Sequence, residues 1–192
     1  MTHPSPADLL VLHAVRLKGF AGTAAVAGRF GLDTDRTRED LLDAQAHGRV
    51  SRSSFADLAG WSLTQAGYRH NEAQLRDELD RTGARGTVTA VHEQFLPRNA
   101  RASRIFTAWQ LSPGSPAGTF HDLAGLAGEL RDLERPLAER LSRFAGYHDR
   151  FTTALARASD DPAWITGIEV DSCHKVWFEL HEDLIATLGI TR

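Results

Sequence analysis

Ala44-Gln45-Ala46-His47-Gly48-Arg49-Val50-Ser51-Arg52 and Trp61-Ser62-Leu63-Thr64-Gln65-Ala66-Gly67 are the two stretches whose reading decides the fold of the first part of this chain. In the first, Gly48 can take the left-handed conformation that ends a helix. From Arg49 to Arg52 the pattern turns extended, and Trp61 to Thr64 reads as a second short strand. Asp57, Ala59 and Gly60 fall near the turn between them. After Gln65-Ala66-Gly67 a charged amphipathic helix runs through Asn71, Leu75 and Leu79 to about Arg81.

Working outward to the N-terminus, Leu9, Leu12 and Val15 recur at helical spacing, joined by Leu10 and Leu17, and Gly19 is a stop. Thr23 can cap a short helix that ends at Gly31, with Ala27 small enough for a close helix crossing. Thr34 can cap a third helix reaching about His47, with Thr37, Leu41 and Ala44 as its inward stripe. Helix, helix, turn, helix, two-stranded ribbon, helix is the order of a winged helix-turn-helix. In that arrangement Thr34, Asp35, Arg36 and Arg38 surround the exposed start of the third helix, where side chains meet base edges and phosphates. Arginine there suits bidentate contact with guanine, while Asp35, Glu39 and Asp40 oppose the approach of phosphate.

Ala44 to Val50 followed by Trp61 to Gly67 resembles the helix, Gly, Val, wing, Leu-Thr-x-x-Gly signature of bacterial winged-helix regulators of the MarR and PadR types. The resemblance covers residues 8–81. It implies that Leu63-Thr64 closes the second wing strand and that Thr64 caps the next helix. With the winged helix first and helices after it, the PadR-like order fits better than the MarR-like one. In those families a wing-tip arginine commonly enters the minor groove, whereas this tip carries Asp57 and no basic residue. The expected DNA-binding set is Thr34, Arg36 and Arg38 in the major groove, with Arg49 and Arg52 holding backbone from the wing.

Gly83-Ala84-Arg85-Gly86 breaks the chain, so the expected domains are a winged helix-turn-helix over 1–82 and an all-helical domain over 87–192. In the latter the pattern predicts a helix from Thr87 to Phe95 and a new one from Pro97, at a first-turn position, to Leu111. Ser112-Pro113-Gly114-Ser115-Pro116-Ala117-Gly118 is a loop. Helices from Phe120 to Glu134 and from Pro136 to about Ala158 come next. Asp160-Asp161-Pro162 is a break, Trp164-Ile165 a short turn of helix, and Asp171 to Leu188 the last helix. Long amphipathic helices after a winged helix need an apolar partner, which predicts a homodimer.

Candidate small-molecule ligands' partners in this half are Arg101 and Arg104 beside Trp109, and the His174, Trp177 and His181 face of the last helix. An arginine next to aromatics can stack or clamp a carboxylate. Glu182 and Asp183 read as solvated. No metal site is expected, because His174 and His181 stand two helical turns apart, roughly 10 Å along the axis. Adjacent Cys173 and His174 point about 100° apart, which is wrong for a catalytic pair. No phosphate loop and no Gly-x-Ser-x-Gly turn is present, so no catalytic residue and no cofactor is assigned.

Composition sets the outer bounds. The 192 residues include 42% hydrophobic and 24% charged side chains and one cysteine, enough for an ordinary core and too few thiols for a disulfide framework. The net charge of −3 excludes a protein that binds nucleic acid by bulk charge alone. No apolar run reaches the length of a membrane span, and the N-terminal Met1-Thr2-His3-Pro4-Ser5-Pro6 does not read as a signal peptide. The combined expectation is a cytoplasmic, homodimeric, DNA-binding transcriptional regulator, responsive to a small-molecule effector, that binds double-stranded DNA and no membrane. Two other readings are a winged-helix accessory module that docks on a protein without binding DNA, and a helical ligand-binding protein using His174, Trp177 and His181.

Overall fold

The structure is a computed structural model that describes residues 2–55, 58–112 and 116–190. It is mainly helical, with a small two-stranded antiparallel sheet. The chain forms two compact units, one from His3 to Gly83 joined by the residues from Ala186 onward, the other from Ala84 to Ile185 joined by Thr2. The division falls at Gly83, which is left-handed at φ 63°. The expected helical domain ran to residue 192, whereas the residues from Ala186 on group with the N-terminal unit.

In that unit, α1 (Ala7–Lys18), α2 (Thr23–Arg29) and α3 (Thr34–Ala46) precede a hairpin of β1 (Val50–Phe55) and β2 (Leu58–Leu63), and α4 (Gln65–Thr82) follows. The register pairs Val50 with Leu63 and Arg52 with Trp61. Both strands are longer than the sequence pattern predicts, and Asp57 lies outside the described residues. Val50 and Trp61 are buried, but period-2 alternation does not continue along β1: Arg52, on the same face and opposite Trp61, is exposed along with Ser51 and Ser53. An isolated bridge between Ala21 and Trp61, not foreseen from the sequence, ties the α1–α2 connection to β2.

The core of this unit is Val11, Leu12, Val15, Val26, Leu41, Ala44, Val50 and Trp61. α3 buries Thr37, Leu41 and Ala44, the stripe its periodicity predicts. Its cap differs from expectation. Asp33, not Thr34, is the N-cap, its Oδ1 accepting the Arg36 N–H at 2.8 Å. A carboxylate here also faces the positive end of the helix dipole, which a threonine hydroxyl does not exploit. Nor does Thr23 cap α2: its hydroxyl accepts the Trp61 indole N–H at 3.0 Å. Leu9, Leu75 and Ala186 form a second small cluster in this unit.

The other unit holds α5 (Arg85–Leu111), α6 (Pro116–Ala138), a single 3-10 turn at Ser142–Phe144, α7 (Tyr147–Arg157), α8 (Ala163–Thr166) and most of α9 (Cys173–Leu188). Four boundaries differ from the sequence reading, and three of them fall at prolines. Pro97 does not begin a helix but sits inside α5. The stripe Val88, Val91, Phe95, Ala102, Phe106, Trp109 stays buried across it, and the Arg98 guanidinium donates to the Gln94 carbonyl at 2.6 Å beside the missing amide. Pro136 likewise lies within the last turn of α6, where flanking Leu133 and Leu137 are buried and hold the helix on course. α6 begins at Pro116 rather than near Phe120, and Pro113, Gly114 and Ser115 of the expected loop lie outside the described residues. The break expected at Glu134–Pro136 comes instead before Gly146, left-handed at φ 94°, which starts α7. Among the described residues no helix is long and apolar enough to cross a membrane.

Candidate functional site

The arginines expected to meet DNA lie in the N-terminal unit, on α3, on β1 and on the connection between them. With Thr37, Leu41 and Ala44 turned inward, Thr34, Arg36 and Arg38 stand exposed in the first two turns. Arg36 is shared between Glu39 at 3.5 Å and Asp40 at 3.3 Å, both on its own helix. Arg38 has no ion pair among the described residues. Asp35 and Asp43 are exposed on the same helix, and Leu42 stands out with 45% of its surface accessible. Arg49 lies beyond the far end of α3 and is half-buried, while Arg52 is exposed with its guanidinium 5.6 Å from the centre of the Trp61 ring. The five expected DNA-binding residues thus fall in two places along the chain: Thr34, Arg36 and Arg38 in the first two turns of α3, and Arg49 and Arg52 at the entry to β1 and on it.

The turn into α4 explains the Leu-Thr-x-x-Gly pattern physically. The Thr64 hydroxyl donates to the Gly48 carbonyl at 2.6 Å and accepts the Gly67 N–H at 3.0 Å, so one side chain closes the hairpin and caps α4. A Cβ on Gly67 would run into the Arg49 carbonyl. The pair therefore fixes the Arg49 backbone against the start of α4.

In the helical unit the expected ligand face is filled by the protein itself. Phe95 of α5 lies 5.3 Å from the Trp177 ring and 5.2 Å from the His181 ring, centroid to centroid, and Phe106 lies 4.8 Å from His174. The Trp177 indole donates to Asn99 Oδ1 at 3.0 Å. Burial pushes the His174 imidazole pKa below its ordinary value. Arg101 is bound to Glu129 of α6 at 2.7 Å, Trp109 is buried and Arg104 is exposed, so these three do not converge. Among the described residues no cluster of His, Cys, Asp and Glu is placed to hold a metal ion.

What sequence reasoning missed is an ionic network between α7, the turn before it, and α9. Arg143 is paired with Asp183, both side chains fully buried. The Tyr147 hydroxyl donates to the other Asp183 oxygen at 2.8 Å. One turn further along α7, Arg150 forks onto Asp171 through Nε at 2.8 Å and Nη2 at 2.7 Å, and Nη2 lies 2.7 Å from Glu179 Oε2. Burial works against the Arg150 charge, but Asp171 and Glu179 outweigh it and raise its pKa above the usual arginine value. Asp183 is buried, where the sequence reading had it solvated. A signal existed: Asp183 falls three residues after Leu180 and seven after Val176, on the stripe that α9 buries.

Beside this network an open cleft of about 270 Å3 is lined by Asp149, Arg150, Thr153, Arg157, Trp164 and Asp171. The Arg157 guanidinium lies over the Trp164 ring, 4.5 Å from its centre. Compared with protein-family models, curated proteins and solved structures, this chain matches none of them.

Proposed function

We propose that this protein is a cytoplasmic, homodimeric regulator of the winged helix-turn-helix type that binds double-stranded DNA through α3 and steadies the contact with β1. The carrying observation is the two-sided character of α3: Thr37, Leu41 and Ala44 sealed in the core, Thr34, Arg36 and Arg38 outward in its first two turns. The sharp α2–α3 turn at Gly31, φ 65°, and the hairpin packed behind α3 support the same reading. Glu39 and Asp40 do not forbid it, because i,i+3 and i,i+4 pairs on a helix surface contribute only about 0.3–0.5 kcal/mol and a phosphate can displace the exposed Arg36 from them. Arg52, exposed on β1, supplies a second backbone contact. In this reading the protein has no catalytic role, and its second unit dimerises.

Fluorescence anisotropy on duplex from the region upstream of its own gene tests the reading. Binding should weaken steeply with salt, and Arg38→Ala should lower affinity and reduce the salt slope by roughly one unit if it meets a phosphate. Salt-independent binding, or none at low ionic strength, refutes it.

A second reading rests on a specific feature, Leu42 exposed on a helix that also exposes Asp35, Glu39 and Asp43. An exposed apolar side chain on a helix with several acids suits docking on a protein better than on phosphate. If Leu42→Glu abolishes association with a stoichiometric protein partner while Arg38→Ala does not alter it, that module reading replaces the regulator.

A further inference from the structure

We propose that the cleft between α7 and α8 is a binding site for a small amino-carboxylate, of the size and charge of a free amino acid. The inference does not rest on DNA binding. The cleft is lined by two guanidinium groups, Arg150 and Arg157, and two carboxylates, Asp149 and Asp171. Because the two signs balance, a bare anion or a bare cation meets as much repulsion as attraction, whereas a molecule carrying both charges can satisfy both. Asp149 is almost fully exposed, at 91%, with only its neighbour His148 at 3.4 Å. Arg157 has no ion pair among the described residues and is held in place by stacking on Trp164. A planar guanidinium fixed in this way is a preorganised fork for a carboxylate.

On the inner side of the cleft Arg150 is already engaged by Asp171 and Glu179. The lining groups of opposite sign left open to a ligand are therefore Arg157 and Asp149, both exposed. The bound molecule's carboxylate goes to Arg157, its ammonium to Asp149 and the Thr153 hydroxyl, and its side chain to the Trp164 surface. The cleft's volume, about 270 Å3, is on the scale of a single small molecule.

Calorimetric titration of the full chain with the standard amino acids, each alone at millimolar concentration, tests the proposal. At least one should bind saturably, and its des-amino and decarboxylated analogues should each bind roughly tenfold more weakly or worse. Arg157→Gln and Asp149→Asn, both at exposed positions, should each abolish binding while leaving the thermal melt of the free protein unchanged. If no amino acid binds, or the two analogues bind as well as the parent, or binding survives both substitutions, the proposal is wrong. Loss of DNA binding leaves this outcome untouched, so the two readings fail separately.

Discussion

Gly67 shows how much one residue fixes. It carries no strained dihedral; it is glycine because the Arg49 carbonyl occupies the space a Cβ would take, while its amide completes the Thr64 cap. The Leu-Thr-x-x-Gly spacing was legible in the sequence, but the Arg49 contact was not, because it joins residues far apart in the chain. Two neighbours on α9 give a pH signature of opposite signs. Burial pushes the Cys173 thiol up to about 12, so its contribution to stability is complete below its ordinary value of 9.0 and is lost as pH rises from there towards 12. The same cause lowers the His174 pKa, so its contribution is present above 6.5 and lost as pH falls below it. Urea midpoints measured across pH should therefore decline at both ends. Cys173→Ala should flatten the alkaline limb and His174→Asn the acid one; unchanged slopes would contradict these environments.

Among the elements, α3 tests the structure against the sequence most directly. The sequence offers Thr34 as its cap, and the structure uses Asp33, whose carboxylate takes the Arg36 amide. Asp33→Ala should cost about 1 kcal/mol, and Thr34→Ala, at an exposed position, should change stability by less than about 0.5 kcal/mol. Equal losses in chemical denaturation would return the cap to Thr34. The prolines carry the same lesson for longer helices. Pro97 and Pro136 are local stop signals, and local reasoning ends helices at them. α5 and α6 run on because Phe95 and Ala102, or Leu133 and Leu137, are buried on either side. Burial of a continuous apolar stripe outweighs the roughly 3 kcal/mol by which an interior proline disfavours a helix.

At the scale of the whole molecule, both units bury charged side chains beside an apolar core. The N-terminal unit packs around Leu41 and Trp61 and also buries Arg29 and Glu78, and the helical unit buries Arg143, Glu179 and Asp183. In the latter, Arg143 and Asp183 are both removed from solvent, with Tyr147 completing the carboxylate. Such a pair adds little over apolar packing when intact but is very costly to break by halves. Arg143→Met should thus destabilise by roughly 3–5 kcal/mol, and adding Asp183→Leu should restore most of that loss. A double variant no more stable than the single one would show that the network does more than neutralise itself. The order of this interior is sharp for the same reason: misplacing α9 by one residue strands Asp183 and Glu179 without their arginines.

The sequence by itself determined what depends on near neighbours and periodicity: the helical stripes, the glycine stops at Gly31 and Gly48, the hairpin, and the outward arginines of α3. Tertiary structure alone decided what depends on partners distant along the chain. Phe95 and Phe106 fill the His174, Trp177 and His181 face, Glu129 takes Arg101, and Arg143 and Arg150 draw the acids of α9 inward. An ionisable side chain is read from sequence as solvated because burying a lone charge is prohibitive. Only the fold supplies the opposite charge that lifts the prohibition, and only there did the cleft beside Arg150 come into view.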